Sequence, residues 1–369
     1  MTAANQSKSC DNSQLGGSVA GRQLRLTKFR DLRLSDPFFD SLKSAYVEFA
    51  DWFARKADTD VYVVEDDAAV LSGMIYLKPE QGAVSDVTPP LADLKWLKVG
   101  TLKIEGRGTK LGERVLKKIF DTAIDENMDG IYVTIFDVHE DLIRLFERYG
   151  FQRVGTKTTQ SGEELVYARR LDQFSGDMIS DYPFVHIAGK KAWLLAVYPE
   201  YHTQLLPDSI LKNEPREIVR DVSHTNTIHK VYIGKIPLTR MSPGDAVVIY
   251  RTTDHQGPAF YRSVASSICI VEEIRRKRDF ANIEAFLEYT APHSVFTEDE
   301  LRDQYVESPR LYVARMTYNV AFNRRITRGR LIEEAHVTAQ PRWDLRELTS
   351  TQFRDIVEMG DVNARIVID

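Results

Sequence analysis

Cysteine is nearly absent from this sequence, which contains only Cys10 and Cys269 in its 369 residues. Two cysteines, one of them in a small and polar N-terminal stretch, cannot supply a disulfide scaffold or a cysteine-based zinc site. This scarcity is typical of a protein from a reducing compartment, and we therefore expect a cytoplasmic location.

Long apolar segments are lacking as well. No stretch reaches the ~18 consecutive apolar residues that a membrane-spanning helix requires, so we predict a soluble protein with no membrane association. Residues 1–21 are small and polar and have no apolar h-region. They therefore argue against a secretory signal and predict a disordered tail.

An excess of charge of one sign is also missing. Lys and Arg number 49 and Asp and Glu number 54, for a net charge of −5. This balance argues against a protein that coats polyanions broadly, but it is compatible with a local nucleic-acid groove. The histidine spacings match no common zinc pattern, so we predict no metal site. The Gly-x-Ser-x-Gly, His-Glu-x-x-His and Walker motifs do not occur either.

What the sequence does contain is a regular alternation of strand and helix patterns over residues 22–171. An amphipathic helix is predicted from Gly112 to Glu126, and the nearly continuous apolar run from Ile131 to Phe136 predicts a strand buried on both sheet faces. One helix is predicted after Asp36, and a loop over residues 78–90. The alternation indicates an α/β fold.

The pattern changes after residue 171. Short strand-like runs follow, separated by Gly, Pro and polar turns. Helices are predicted from Ile283 to Tyr289 and after the capping box at 297–300, and a strand from Leu311 to Val320. We therefore expect a second domain over residues 180–369, of all-β or α+β type, with helical and strand additions at its C-terminal end.

The most informative segment runs from Leu102 to Glu113. A strand ends there, the chain turns at Gly106 and Gly108, and the amphipathic helix begins near Gly112. This order directs free backbone N–H groups and the positive end of a helix dipole toward one point. Arg107 and Lys110, in the turn, add positive charge that would face the anion. The segment predicts an anion site suited to a pyrophosphate.

This segment resembles the coenzyme A loop of the GCN5-related N-acetyltransferase (GNAT) superfamily, in which an Arg/Gln-x-x-Gly-x-Gly/Ala sequence binds the pyrophosphate. The match begins at Arg107 and ends at Gly112, and Lys110 stands where the family has its middle glycine. A second match, residues 142–151, resembles the family's fourth helix and the Gly-Phe that follows it. The resemblance implies a GNAT mixed sheet flanked by helices over residues 22–171.

The resemblance also implies acetyl-CoA as a co-substrate. The residues that it assigns to coenzyme binding are Leu102, Lys103, Ile104, Arg107, Gly108, Thr109, Lys110, Leu111 and Gly112. The strand residues would pair with pantetheine, and a backbone N–H there would polarise the thioester carbonyl.

The acid and base are less well defined. Phe146 stands where family members often have a tyrosine that protonates the leaving thiolate, so another acid, solvent, or coenzyme binding without turnover are all open. Candidate general bases are Glu105, beside the loop, and Asp137 and His139, at the end of the central strand. Alternatively, Asp137 caps the next helix and His139 lies on its surface. Aromatic residues that either line an acceptor pocket or pack in the core are Tyr46, Trp52 and Trp96.

Residues 231–252 form a strand, a Pro-Gly-Asp turn and a second strand that ends in Tyr-Arg. This pattern resembles the PUA-like superfamily, which includes ASCH and EVE domains, and implies a small β-barrel that binds RNA or modified nucleotides. Tyr250, Arg251, Tyr261 and Arg262 would then supply a stacking plane and phosphate contacts. The alternative is that they are structural strand residues.

These expectations together describe an acyl-CoA-dependent N-acyltransferase that transfers acetyl to an amine of an RNA-associated or protein acceptor. Two alternatives are open: an RNA-binding or regulatory protein with a coenzyme-A-sensing GNAT domain, and a toxin that acetylates aminoacyl-tRNA. The expected partners are acetyl-CoA and RNA or tRNA, and a homodimer is compatible with the sequence.

Overall fold

The computed structural model describes residues 23–66, 68–105, 110–206 and 227–369. Within these ranges the chain forms a mixed α/β structure with one sheet of seven strands, one of six strands and one strand pair. No helix in this part of the chain is long and apolar enough to cross a membrane. The predicted N-terminal tail lies outside the described residues.

The first sheet contains the strands β1 (Gln23–Lys28), β2 (Asp60–Glu65), β3 (Leu71–Val84), β4 (Leu91–Ile104), β5 (Gly130–Ile135), β6 (Gln152–Thr159) and β7 (Gly162–Arg170). Their spatial order is β1-β2-β3-β4-β5-β7-β6. Neighbours are antiparallel except β4 and β5, which are parallel. The predicted apolar central strand is confirmed as β5, which is buried at all but one position.

Four α-helices accompany this sheet: α1 (Asp40–Ala45), α2 (Phe49–Arg55), α3 (Leu111–Asp125) and α4 (Glu140–Arg148). The apolar stripe of α3, which includes Val115 and Ile119, packs into the main hydrophobic core, so the predicted amphipathic helix is confirmed. Helices α1 and α2 close a separate aromatic cluster around Phe29. Helix α4 ends before Gly150, whose φ of 82° lies in the left-handed region that glycine favours.

The single helix predicted after Asp36 is wrong, because the chain divides there into a short 3-10 turn, α1 and α2. The division falls at Tyr46, which leaves the helical region with φ −125° and ψ 110°. The ring of Tyr46 lies against Phe136, so a tertiary contact accompanies the break in the helical pattern.

The loop predicted over residues 78–90 is also wrong, because β3 continues to Val84. The pairing of β2 with β3 ends at Ile75, whereas β4 pairs with β3 beyond it. Pro79 therefore lies where β3 has one neighbouring strand, and its missing N–H can face the unpaired side.

The second part of the chain contains β8 (Val185–His186), β9 (Ala192–Val197), β10 (His229–Gly234), β11 (Ala246–Arg251), β12 (Val264–Arg276), β13 (Tyr312–Thr327), β14 (Leu345–Leu348) and β15 (Val367–Ile368). Its helices are α5 (Pro199–Leu205), α6 (Ala259–Arg262), α7 (Ile283–Thr290), α8 (Glu298–Glu307), α9 (Arg328–Glu333) and α10 (Ser350–Met359). The predicted helices near residues 283 and 298 are confirmed as α7 and α8. The predicted strand at Leu311 is confirmed as β13, which runs longer than expected.

The predicted β-barrel is not confirmed. Among the described residues the six strands form an open sheet in the order β10-β13-β12-β11-β9-β14, with β10 and β14 at its edges. The motif that suggested a barrel places β10 and β11 next to each other in sequence, but β13 and β12 lie between them in the sheet. The other neighbour of β11 is β9, in parallel register.

One apolar core joins the two sheets. It includes Phe120 on α3 and Ile268 on β12. Next to it, the buried guanidinium of Arg169 on β7 donates to the carbonyl oxygens of Tyr149, at 2.8 Å, and Tyr182, at 2.6 Å. This packing is continuous across the predicted boundary between the domains at residues 22–171 and 180–369. The division into two domains stays a prediction.

Candidate functional site

Strands β4 and β5 run side by side over four residue pairs and then separate. Their parallel register joins residues 96–99 to residues 130–133, and no later pair follows within the described part of the chain. On its other side β4 stays paired with β3 as far as Ile104. Residues 100–104 therefore present one edge of backbone N–H and C=O groups that no strand in the described part of the chain pairs with.

A cleft of about 1210 Å³ lies beside this free edge. It is lined by the end of β4, the beginning of α3, part of α4, and residues of α1 and α2. Apolar and aromatic side chains make up much of the lining, among them Phe49, Trp52, Phe136 and Leu145. An apolar cleft with polar backbone at the ends of strands is the usual ligand site of an open α/β sheet.

Three predicted coenzyme-binding residues, Leu102, Lys103 and Ile104, line this cleft from β4. The amino group of Lys103 lies 2.7 Å from Glu105 Oε1 and donates to the carbonyl oxygen of Phe38. Since its charge is occupied within the protein, the contribution that Lys103 can make to a ligand is its backbone edge.

The turn between β4 and α3 holds the other predicted residues. Arg107, Gly108 and Thr109 lie outside the described residues. Lys110 precedes α3 with φ 53° and ψ 13°, a left-handed conformation. Glycine adopts that conformation without strain. Lys110, which stands at the middle glycine position of the coenzyme A loop motif, thus has a backbone conformation that glycine favours.

Helix α3 begins with Leu111 and Gly112, and both line the cleft. A Cβ atom at Gly112 would lie 2.9 Å from Leu145 Cδ2. The glycine therefore allows α3 to approach α4 closely, in addition to any role toward a ligand. A side chain at this position has to displace Leu145 before it can reach the cleft.

The amino group of Lys110 is bound by the second part of the chain. Its Nζ donates to the carbonyl oxygen of Pro292 at 3.0 Å and lies 2.6 Å from His293 Nε2. Burial lowers the pKa of Lys110 to about 8, Glu113 opposes this, and the charge of Arg315 adds to it. The expectation that this lysine directs its charge to a phosphate is therefore not supported by its position.

Tyr46 and Glu164 form a hydrogen-bonded pair in the cleft. The Tyr46 hydroxyl donates to Glu164 Oε1 at 2.9 Å, and Glu164, on β7, is 4% exposed. Burial, together with the Glu164 carboxylate, raises the pKa of Tyr46 well above its ordinary value, so its hydroxyl stays protonated at neutral pH. The Glu164 carboxylate therefore lies at the cleft, and the Tyr46 hydroxyl orients it by donating to Oε1.

Sequence reasoning missed Glu164 because its partner lies 118 residues away. A weak signal was available, since Glu164 precedes the otherwise apolar run of β7. For Tyr46 the pocket alternative is supported, and Trp52 also lines the cleft. Trp96 is 3% exposed, donates to the carbonyl oxygen of Ala92 and packs in a core cluster.

The three predicted general bases lie in different surroundings. Glu105 is exposed and ion-paired with Lys103. Asp137 lies in an exposed turn and is not among the residues that line the cleft. His139 is exposed, precedes α4 without a capping side-chain hydrogen bond, and lines the cleft. The structure thus brings His139 alone of these three to the cleft.

Phe146 does not line the cleft. It is fully buried on α4, and its ring contacts that of Phe151 with 4.8 Å between the ring centroids. A hydroxyl at this position would be placed in the apolar core. Position 146 therefore contributes to core packing and is not placed to donate a proton in the cleft.

The residues predicted to bind RNA are mostly enclosed. Tyr250 is 2% exposed and its ring lies 5.2 Å from that of Trp343, and Arg251 is 5% exposed. The Nε atom of Arg262 is bonded to Asp254 at 2.6 Å. Tyr261 is the exposed aromatic residue of this set, at 70%. Neither Tyr250 nor Arg251 offers a surface to a base or phosphate, so this part of the prediction is corrected.

Within the described residues, no group of three or more His, Cys, Asp or Glu side chains is placed to hold a metal ion.

Comparisons with known proteins give only distant similarity. No protein-family model matches the sequence, and no curated protein matches it. Similar solved structures include an ASCH protein from Zymomonas mobilis, at 15% identity over 46% of this chain and 95% of that chain, with a TM-score of 0.32. A GCN5-related N-acetyltransferase from Kribbella flavida is 18% identical over 41% of this chain and 98% of that chain, with a TM-score of 0.32. The NatC complex bound to Gag peptide and CoA is 15% identical over 40% of this chain and 98% of that chain, with a TM-score of 0.28. Similarities of this size carry no weight for function, which has to be inferred from the site.

Proposed function

We propose that this protein is an acyl-CoA-dependent N-acyltransferase. The observation that carries the proposal is the separation of β4 from β5, because residues 100–104 then have a backbone edge beside the cleft that no described strand pairs with. A pantetheine arm has two amide groups at a spacing close to that of a peptide, so it can hydrogen-bond along such an edge as an added strand would. The donors and acceptors present fit that ligand.

The fit at the phosphate end depends on the start of α3. Leu111 and Gly112 place the first turn of a 15-residue helix at the cleft, where unbonded N–H groups and the helix dipole favour an anion. Arg107 and Gly108, the other residues proposed here for the pyrophosphate, precede it in the chain.

When bound, acetyl-CoA supplies an acetyl thioester. Transfer forms a C–N bond to the acceptor amine while the C–S bond breaks, and coenzyme A leaves as a thiolate that takes a proton from solvent. A backbone N–H on the free edge of β4 donates to the acyl carbonyl oxygen, where negative charge develops. Glu164 accepts the proton that the amine loses, and Tyr46 orients the carboxylate for this step. The side chains that line the cleft limit the access of water.

The acceptor is an amine that carries an apolar group. Glu48 lines the cleft, and its Oε2 atom is buried with no hydrogen-bond partner among the described residues. With Glu164 it gives this cleft two carboxylates, and the aromatic residues Phe49 and Phe136 line the same cleft. Two carboxylates disfavour a nucleic-acid phosphate, so a small-molecule or protein amine is proposed in preference to an RNA-associated one.

Calorimetric titration with coenzyme A tests the coenzyme site. We expect Gly112→Asp to abolish binding, because it places a carboxylate at the first turn of α3. Gly112→Ala is the matched control, since it makes the same contact with Leu145 without the charge. Absence of coenzyme binding by the unaltered protein would refute the proposal, and equal losses in both variants would reassign Gly112 to helix packing.

Turnover is tested separately with acetyl-CoA and a panel of amines, by following the release of free thiol. Release that depends on an amine supports the transferase. Coenzyme binding without release for any amine would favour the coenzyme-sensing alternative.

A further inference from the structure

Lys110 has a backbone conformation that a lysine rarely adopts. Its φ of 53° and ψ of 13° lie in the left-handed region, where the Cβ of a non-glycine residue is strained. The side chain of Lys110 makes no capping hydrogen bond to α3. Such a conformation persists only where the surrounding structure holds it in place. The contacts of the Lys110 side chain therefore bear on how α3 begins.

Those contacts come from the 3-10 turn at Ala291–His293, 182 and 183 residues further along the chain. The amino group of Lys110 donates to Pro292 O and lies 2.6 Å from His293 Nε2. His293 is 7% exposed, and burial, with the charge of Lys110 next in effect, lowers its pKa to about 2. The imidazole is therefore neutral and able to accept a hydrogen bond from the ammonium group.

The turn at 291–293 is itself held by a polar layer. The ring of His293 lies 5.5 Å from that of His229, whose Nδ1 atom is 2.5 Å from Glu272 Oε1. Arg315 Nε lies 3.2 Å from Glu272 Oε2. On the other side, Arg148 Nη2, at the end of α4, lies 3.1 Å from His229 Nε2. Strands β10, β12 and β13 thus connect with α4 around the contact.

We propose that His293 is a positioning residue for coenzyme binding, which acts by holding Lys110 in its left-handed conformation and so fixes the first turn of α3 at the cleft. The inference rests on the proposed function for its consequence, but its structural part stands on the contact alone. It assigns the second part of the chain a share in forming the coenzyme site. The contact with His293 would then hold at Lys110 the backbone conformation that a glycine at this position adopts without an anchor.

Glycine at position 110 provides the test, because it adopts the same backbone conformation without needing an anchor. We expect His293→Ala to weaken coenzyme A binding by about fivefold, which corresponds to about 1 kcal/mol, the order of the backbone strain. In the Lys110→Gly background, His293→Ala should change the affinity by less than twofold. A merely structural loss at His293 would lower affinity equally in both backgrounds.

Hydrogen exchange provides a readout that does not require the coenzyme. At the start of α3, the backbone N–H of Arg114 donates to Lys110 O at 3.4 Å. Protection of residues 114–116 should fall in His293→Ala and return in the double variant Lys110→Gly/His293→Ala. His255→Asn, which alters an exposed histidine of the same part of the chain, should leave it unchanged.

These outcomes separate the inference from the proposed function. Loss and return of protection without any coenzyme binding would refute the transferase and, with it, the coenzyme role of His293, while the anchoring contact would stand. Coenzyme binding that His293→Ala leaves unchanged, or an equal loss in both backgrounds, would overturn the positioning role.

Discussion

The imidazole of His202 on α5 makes the stability of the folded protein depend on pH. It is fully buried, and its Nε2 atom lies 2.7 Å from Ser266 Oγ. Burial, with the nearby charges of Arg251 and Arg325, lowers its pKa from 6.5 to about 3. Because the pKa is lower in the folded than in the unfolded chain, His202 stabilises the fold fully above pH 6.5. That contribution is lost as the pH falls from 6.5 toward 3.

The size of the effect follows from the proton that only the unfolded chain binds. At pH 5 the unfolded imidazole is ~1.5 pH units below its pKa, and each unit corresponds to about 1.36 kcal/mol. Acidification from pH 7 to pH 5 should therefore reduce the free energy of unfolding by about 2 kcal/mol through His202 alone.

Urea unfolding followed by tryptophan fluorescence at pH 7 and pH 5 measures this contribution. We compare the unaltered protein, His202→Gln and, as a control, His255→Asn, which changes an exposed histidine. Between pH 7 and pH 5, the free energy of unfolding should decrease in all three proteins. The decrease should be about 2 kcal/mol smaller in His202→Gln than in the other two. Equal pH dependence in all three proteins would show that His202 is not held neutral in the fold.

Three further predictions follow from burial and backbone geometry. Gly150 and Gly176 have φ values of 82° and 81°, but a Cβ at Gly150 would lie 2.4 Å from the carbonyl oxygen of Ser180, whereas one at Gly176 meets nothing within 4 Å. In urea unfolding, Gly150→Ala should therefore cost at least about 2 kcal/mol more than Gly176→Ala, and equal costs would contradict the close approach. Phe146→Tyr should lower the free energy of unfolding by about 1–3 kcal/mol without increasing turnover, because it buries a hydroxyl; a faster enzyme of normal stability would disprove this. Glu164→Gln should slow acyl transfer by about 100-fold, with coenzyme affinity measured by calorimetry within twofold of normal, and an unchanged rate would remove Glu164 from proton transfer.

Elements that depend on short-range patterns could be predicted from the sequence. Helix α8 begins where Thr297 accepts from the backbone N–H of Glu300, as its capping box indicates. Helix α3 follows from the spacing of its apolar residues, and β4 ends at Ile104, within the segment where the sequence predicts the end of a strand. In these cases the determining contacts lie within a few residues of one another.

Features that depend on distant pairing could not be predicted. Tyr46 interrupts a helical pattern and meets Glu164 only once β7 lies next to β5 in the sheet. Tyr250 has the aromatic ring of a stacking residue, but it is buried because it packs in the main core, where its ring meets that of the distant Trp343. An alternating strand pattern does not specify which strands become neighbours, so it cannot distinguish an open sheet from a barrel.

The core that joins the two sheets makes their folding interdependent. Phe120 and Ile268 belong to one buried cluster. Asn363 donates to the carbonyl oxygen of Ile124, in the last turn of α3, and Arg365 donates to that of Met128, just after the helix. If the chain were divided into two pieces between the sheets, apolar area would become exposed on both pieces. The carbonyl oxygens of Ile124 and Met128 would lose their hydrogen-bond donors. Each piece would then be prone to aggregate when expressed alone, and chemical denaturation of the intact chain should show one transition instead of two.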